Sequence, residues 1–262
     1  MPDEMKPMKT GAREWDAETY DAVSDPQFEW GMEVLERLEL RGDEVALDAG
    51  CGSGRVTAEL AERLPRGRVI AVDGSAAMVE KAKERLGDRA DYVVSDLVEL
   101  ESAEPVDLVF STATFHWIHD HDRLFRQLRA CLKPGGRLVA QCGGEGNVAS
   151  HAEAIAVVSA HPEYAPHLTE ARGLWNFASP EETEPRLRDA GFADVRCWLE
   201  PKPVRPERPL DFLVVVTLGP ILDRLPEEKR LPFAEAVLEQ HESPLTLDYV
   251  RLNIEASASD DA

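Results

Sequence analysis

Between residues 45 and 142 the chain alternates short apolar runs with stretches of helical length, and this rhythm restricts its fold more than any other feature. V-A-L-D (45–48), R-V-I-A-V-D (68–73), D-Y-V-V-S-D (91–96), V-D-L-V-F-S (106–111) and R-L-V-A-Q-C (137–142) read as strands. Residues 56–64, 76–86 and 122–132 read as helices between them, the first closed by Pro65 and Gly67. Strands that are apolar throughout are buried on both faces, and helical crossovers join strands in parallel. The spacing therefore predicts an α/β fold, a doubly wound sheet.

Beyond residue 142 the rhythm changes. A serine-capped helix over 179–192 stops at Gly191, and D-V-R-C-W-L-E (194–200) reads as a sixth strand. The segment P-K-P-V-R-P-E-R-P (201–209) is excluded from any strand or helix interior, because each proline removes a donor. It leads into helices near 210–224 and 227–241, and L-T-L-D-Y-V-R-L-N-I (245–254) alternates as a closing strand should. The division is 1–40 as N-terminal helices, 41–205 with 243–256 as the core, and 206–242 as an inserted helical cap.

Composition narrows the partners. The net charge of −21 repels phosphate backbones, so no nucleic-acid substrate is expected. No apolar run approaches the roughly 18 residues of a membrane span, and M-P-D-E-M-K lacks a signal-peptide core, so the expectation is a cytoplasmic protein with no membrane partner. Cysteines 51, 131, 142 and 197 form no C-x-x-C and read as reduced thiols.

The strongest local motif is V-A-L-D-A-G-C-G-S-G (45–54), a buried strand running into a glycine loop. Gly50, Gly52 and Gly54 let the backbone turn tightly against a ligand before a helix begins. The dinucleotide spacing G-x-G-x-x-G fails because Arg55 stands where the third glycine belongs, and no lysine follows to make a P-loop. Asp48 ahead of the glycines would repel a pyrophosphate but suits a cation. Asp73 ends the second strand, where a carboxylate can accept both ribose hydroxyls, and Asp96 ends the third, within reach of an adenine amine. An amine, a ribose and an adenine without phosphate describe S-adenosylmethionine.

Together L-D-A-G-C-G-S-G, A-V-D-G-S, S-D-L and L-K-P-G-G-R-L resemble the motifs of class I S-adenosylmethionine-dependent methyltransferases over residues 45–142. The resemblance implies a Rossmann-like seven-stranded sheet with its last strand antiparallel. It implies Asp48, Gly50, Cys51 and Gly52 at the methionine end, Asp73 at the ribose, and Gly74 and Met78 beside the adenosine. Asp96 and Leu97 would flank the adenine, and Ser111 would face the methionyl amine. Met78 and Leu97 also suit an apolar core, and Cys51 suits packing better than nucleophilic attack. The product would be S-adenosyl-L-homocysteine, with no metal required.

Three further features are similar to the trans-aconitate methyltransferase group, which methylates small carboxylic acids. W-D-A-E-T-Y (15–20) matches its N-terminal segment, which would fold Trp15 and Tyr20 over the cofactor. T-F-H-W-I-H-D-H (114–121) matches its stretch after the fourth strand, and the cap before V-R-L-N-I also fits. In the cap T-L-G-P (217–220) lacks an arginine that the pattern leads one to look for.

The resemblance points to methyl transfer onto a carboxylate oxygen, as in a trans-aconitate-like acid, by a monomer or weak homodimer. A carboxylate is already ionised at neutral pH and needs no general base; a phenol or natural-product hydroxyl would need one, with His116 the first candidate. A non-catalytic cofactor-binding module is a third reading. His116 and Trp117 follow the fourth strand at its carboxyl end, where such sheets bind ligands, and are read as positioning the acceptor. Trp175, Arg205 and Arg208 are further cap-side candidates for contact with an anionic or apolar acceptor, although a lone arginine in an acidic protein also suits a surface ion pair. His119 and His121 would point apart on a helix, so 119–122 reads as a solvated helix start with Asp120 or Asp122 as its cap, and no metal site is expected.

Overall fold

The computed structural model describes residues 25–101, 104–168 and 175–259, so the expectations for Trp15 and Tyr20 lie outside the described residues. Helix α1 (Asp25–Glu36) precedes strand β1 (Val45–Ala49), and then the alternation follows: α2 (Arg55–Glu62), β2 (Arg68–Asp73), α3 (Ala76–Leu86), β3 (Ala90–Val94), β4 (Val106–Thr112), α4 (His121–Cys131) and β5 (Leu132–Gly143). One seven-stranded sheet forms in the order β3-β2-β1-β4-β5-β7-β6, with β6 at Phe192–Pro201 and β7 at Val250–Ala258. The first five strands pair in parallel, and β7 runs antiparallel between β5 and β6.

Alternation along each strand sorts the core into two layers, since successive side chains point to opposite faces. Ala46, Leu108, Phe110 and Val139 face a cluster with Val34 and Leu35 of α1, Leu60 of α2 and Ala82 and Leu86 of α3. Leu47, Val109, Leu138 and Ala140 face the other way, onto Leu124, Phe125, Leu128 and Cys131 of α4 and Leu187 of α6 (Pro180–Asp189). Those α4 residues fall on one stripe of a 3.6-residue helix, and Asp120 caps its start by accepting from the Arg123 N–H at 2.9 Å. Asp122 lies within the first turn. In α6 Ser179 and Glu182 complete a reciprocal capping box.

A third apolar cluster lies off the sheet, and here the structure departs from the sequence reading. Helix α5 (Ala149–Ser159) carries no signal that pattern reading would detect: it starts from Val148 in a left-handed conformation without a side-chain cap, and its apolar residues lie on more than one face. The helix expected over 210–224 is α7 (Pro209–Phe212), a π turn (Leu213–Thr217) and α8 (Gly219–Leu222). Pro220 has no N–H to continue the ladder, and Leu218 instead bonds back five residues to Leu213 at 2.7 Å. Helix α9 (Glu227–Glu239), α5 and the π turn pack on one another. His151 of α5 is enclosed there between His241 at 3.0 Å and the Thr217 hydroxyl at 2.9 Å.

The closing strand is shifted too. Leu245, Leu247 and Tyr249 alternate as expected, yet they bury against the helical layer, with Leu247 bridging Val204. The sheet strand proper begins at Val250.

Candidate functional site

The order of strands reverses between β1 and β4, and an open α/β sheet binds ligands in the crevice at that point, outside the carboxyl ends of its strands. The glycine loop sits there, and its three glycines have three different reasons to lack a side chain. Gly50 has φ +89°, and a Cβ on it would overlap Thr114 of the segment after β4. At Gly54, with φ +80°, a Cβ would strike Leu86 and Ala82 of α3 at 2.6–3.0 Å, so this glycine allows close helix packing. Gly52 has φ +52°, and nothing stands within 4 Å of its Cβ position. Gly52 is therefore the one whose bareness leaves open space over the loop.

Asp73 fixes that loop to β2. One carboxylate oxygen accepts the Gly52 N–H at 2.9 Å and the other accepts the Ser75 N–H at 2.9 Å. The Val72 carbonyl takes the Gly50 and Cys51 N–H groups at 2.8 and 2.9 Å. The anchored carboxylate is thereby fixed at the carboxyl end of β2, beside the loop. Gly74 follows at half-buried depth, and Ser75 caps α3 by accepting from Met78 N–H at 3.3 Å.

Asp48 is 2% exposed and accepts a 2.6 Å hydrogen bond from the Thr57 hydroxyl. Burial pushes its pKa up to about 7; the Thr57 bond opposes this and the negative charge of Asp73 adds to it. A buried carboxylate held this close to neutrality favours a cation nearby. Cys51 is buried, with its thiol pushed up by burial and by Asp48 and Asp73, so it packs and does not attack.

The remaining cofactor-side expectations divide. Met78 is buried at the start of α3, beside the loop. Asp96 is half-buried and one of its oxygens accepts the Val98 N–H at 3.1 Å, forming a turn. Leu97 belongs to the sheet core with Val72 and Val109, so its apolar character is accounted for by packing. Ser111 is 1% exposed and donates to the Ala49 carbonyl at 2.6 Å, tying β4 to β1.

On the acceptor side, Phe115–Trp117 form a 3-10 turn after β4. His116 is buried, and its Nδ1 accepts the Gly143 N–H at 3.2 Å. An accepting Nδ1 in a neutral ring places the proton on Nε2. Burial holds the His116 pKa well below the usual imidazole range, and the nearby cation Arg251 and His121 push the same way. His116 thus offers a hydrogen-bond donor at Nε2, which weighs against the base role that a hydroxyl acceptor would ask of it.

Aromatic rings gather around it. Trp117 lies 5.1 Å from His116, Trp175 lies 6.2 Å from Trp117, and Phe177 stacks on Trp175 at 5.6 Å and stands 5.9 Å from His116. The structure brings Trp117 and Trp175 together and adds Phe177, two residues after Trp175, which the sequence reading did not single out. Arg205 is not brought to the cluster. It is exposed, and its Nε donates to Thr246 at 3.0 Å beside the Val204–Leu247 bridge. Arg208 is exposed as well, paired to Asp211. His121 corrects the picture of a solvated helix start, being 3% exposed with Nε2 on the Phe115 carbonyl at 3.0 Å. Among the described residues no group of three His, Cys, Asp or Glu is placed to hold a metal ion. No described helix is long and apolar enough to cross a membrane.

Comparison with known proteins agrees with this geometry. Residues 46–136 match a family model described as a methyltransferase domain. A trans-aconitate 2-methyltransferase of Deinococcus radiodurans is 30% identical over 181 residues, covering 69% of this chain and 67% of that one. The corresponding enzyme of an Azoarcus species is 37% identical over 127 residues, 48% of this chain; the aligned part spans only half of that relative's length. Among solved structures, a Haemonchus contortus phosphoethanolamine N-methyltransferase 2 in complex with S-adenosyl-L-methionine superposes with a TM-score of 0.60 at 21% identity, covering 93% of this chain and 56% of its own.

Proposed function

We propose that this chain, which belongs to the trans-aconitate methyltransferase group of class I S-adenosylmethionine-dependent methyltransferases, methylates a carboxylate oxygen of a small-molecule acid. The cofactor is S-adenosyl-L-methionine, and it supplies a methyl group activated on a sulfonium. The residues suit it on their own chemistry. Asp48 is a buried carboxylate that a cation would relieve, and Gly52 leaves bare backbone over the loop. Asp73 holds the loop at the end of β2, the position from which a carboxylate reaches ribose hydroxyls in sheets of this kind.

The observation that carries the acceptor class is the protonation of His116. Methyl transfer is an in-line displacement, so the protein contributes mainly alignment and exclusion of water. A hydroxyl acceptor would also need its proton removed. The buried His116 carries its own proton on Nε2 and sits near Arg251, so taking up a second is disfavoured. A carboxylate needs no proton removed, and His116 Nε2–H and the Trp117 indole can donate to its non-reacting oxygen.

Two measurements test this. Calorimetry should give micromolar binding of S-adenosylmethionine to the native chain and at least a hundredfold weakening in Asp73→Ala. At saturating cofactor, turnover of an acid substrate should be flat from pH 6.5 to 9. A rising limb set by a base in that window would move the acceptor to a hydroxyl.

A further inference from the structure

Asn176 stands between Trp175 and Phe177, and its donors all go to one place. Its backbone N–H donates to the His116 carbonyl at 2.8 Å. Its side-chain Nδ2 donates to the Ile118 carbonyl at 3.3 Å and to the His119 carbonyl at 3.1 Å, 58 and 57 residues away in sequence. A primary amide carries two N–H donors, so both are used, and one residue holds the carbonyls of His116, Ile118 and His119. From the other side His121 Nε2 meets the Phe115 carbonyl at 3.0 Å. The turn so held begins at Thr114, the residue that a Cβ on Gly50 of the glycine loop would overlap. Trp175 and Phe177 stack with 11° between their planes while Asn176 points to the turn, which is the alternation of an extended chain. Phe177 in turn lies where a Cβ on Gly143 would stand, and the Gly143 N–H donates to His116 Nδ1. Trp117, Trp175 and Phe177 are only half-buried, so the core does not close over the stack they form.

From this we infer that Asn176 is a positioning residue for methyl transfer. It fastens the Trp175–Phe177 segment to the turn carrying His116 and Trp117, so that these rings form one fixed wall on which the acceptor is aligned. The inference deepens the proposed reaction and rests on it for the role of the wall. Ring stacking is not directional and tolerates sliding, whereas hydrogen bonds weaken steeply off their axis. The bonds of Asn176 therefore set where the rings stand relative to the glycine loop. Alignment matters because a misplacement of about 1 Å can cost an enzyme about a hundredfold in rate. An amide is also the group this place requires. Both side-chain partners are carbonyls, and a carboxylate of the same shape would turn only lone pairs toward them.

The test uses the full chain with S-adenosyl-L-homocysteine bound, and Asn176→Asp, which keeps the shape and removes both donors. Two indoles 6.2 Å apart couple to give paired bands of opposite sign in far-ultraviolet circular dichroism, and Trp175→Phe identifies that couplet by abolishing it. Asn176→Asp should weaken the couplet severalfold. With trans-aconitate as acceptor and a tritiated methyl as label, the KM for the acid should rise about tenfold or more, with that for S-adenosylmethionine within about twofold of native. A merely structural role would lower the active fraction without this split. Where the aspartate variant does not fold, Asn176→Ala removes the same donors without a charge and is read the same way. An unchanged couplet in a folded variant, or two KM values that stay put or move together, would overturn the inference. A native chain that leaves trans-aconitate unmethylated would speak against that acceptor and not against the clamp, which the couplet then decides alone.

Discussion

Asp48 is the residue whose chemistry most changes between sequence and structure. In the sequence it is an acidic residue before a glycine loop; in the fold it is buried, bonded to Thr57 and held near neutrality. A rise from 3.8 to about 7 corresponds to roughly 4 kcal/mol against ionisation, at about 1.4 kcal/mol per pH unit. The folded pKa is raised, so this contribution to stability is fully present below about pH 4 and is lost as pH climbs through 7. Asp48→Asn keeps an acceptor for Thr57 and cannot ionise. We expect it to melt higher than the native chain at pH 8 without cofactor, by several degrees in a thermal scan, with the difference shrinking as pH falls toward 4. Its affinity for S-adenosylmethionine should fall at least tenfold, because the charge that favours the cation is gone. The places of Asp48 and Asp73 were legible because the strand pattern fixes them near the ends of β1 and β2. The hydrogen bond of Ser111 was not, since only the fold shows the Ala49 carbonyl 2.6 Å from its hydroxyl. His116 was half legible: its place was plain, but its proton is decided by Gly143, 27 residues away in sequence.

At the scale of elements, the glycine loop separates packing from binding. Gly54→Ala adds a methyl against Ala82 and Leu86 of α3 at a left-handed φ, and should destabilise folding by roughly 2–4 kcal/mol in urea titration. Gly52→Ala meets open space and only the conformational cost of about 1–2 kcal/mol, so its larger effect should be on cofactor affinity, at least tenfold by calorimetry. A variant pair with the reverse ordering would mean the loop does not open toward the cofactor at Gly52. The strands and crossovers of the sheet were readable because their period and their caps are local signals. Helix α5 was not, since it begins without a cap and is held by His151, Ile155 and Val158 meeting residues far along the chain. The broken helix near 213 followed the same logic, with Gly219-Pro220 visible in sequence but the π turn set by packing. The residues 245–249 show the converse. Their alternation was read correctly, yet alternation states only that one face is buried, and the partner turned out to be helices instead of the sheet.

The whole molecule carries 50 acidic and 29 basic residues, and this excess is distributed over the surface with most charged groups exposed. Self-repulsion at net charge −21 opposes the compact state, and salt screens it over about 10 Å at 0.1 M and about 3 Å at 1 M. Raising potassium chloride from 0.1 to 2 M should therefore lift the thermal midpoint by several degrees; an unchanged midpoint would show that the charge is already balanced locally by ion pairs. The same field disfavours anionic ligands at a distance, so an acid acceptor must be held by local contacts. At this scale the fold was legible almost entirely, because a doubly wound sheet is written in the spacing of its strands, whereas the aromatic cluster joins residues 116, 117, 175 and 177 from two segments nearly sixty residues apart. The central claim is that methyl groups go from S-adenosylmethionine to a carboxylate oxygen, and the most direct measurement is the fate of a tritiated methyl. The chain should transfer it to an organic acid as an ester from which mild alkali releases labelled methanol. Labelled product that survives alkali, as an ether or methylamine would, contradicts the account.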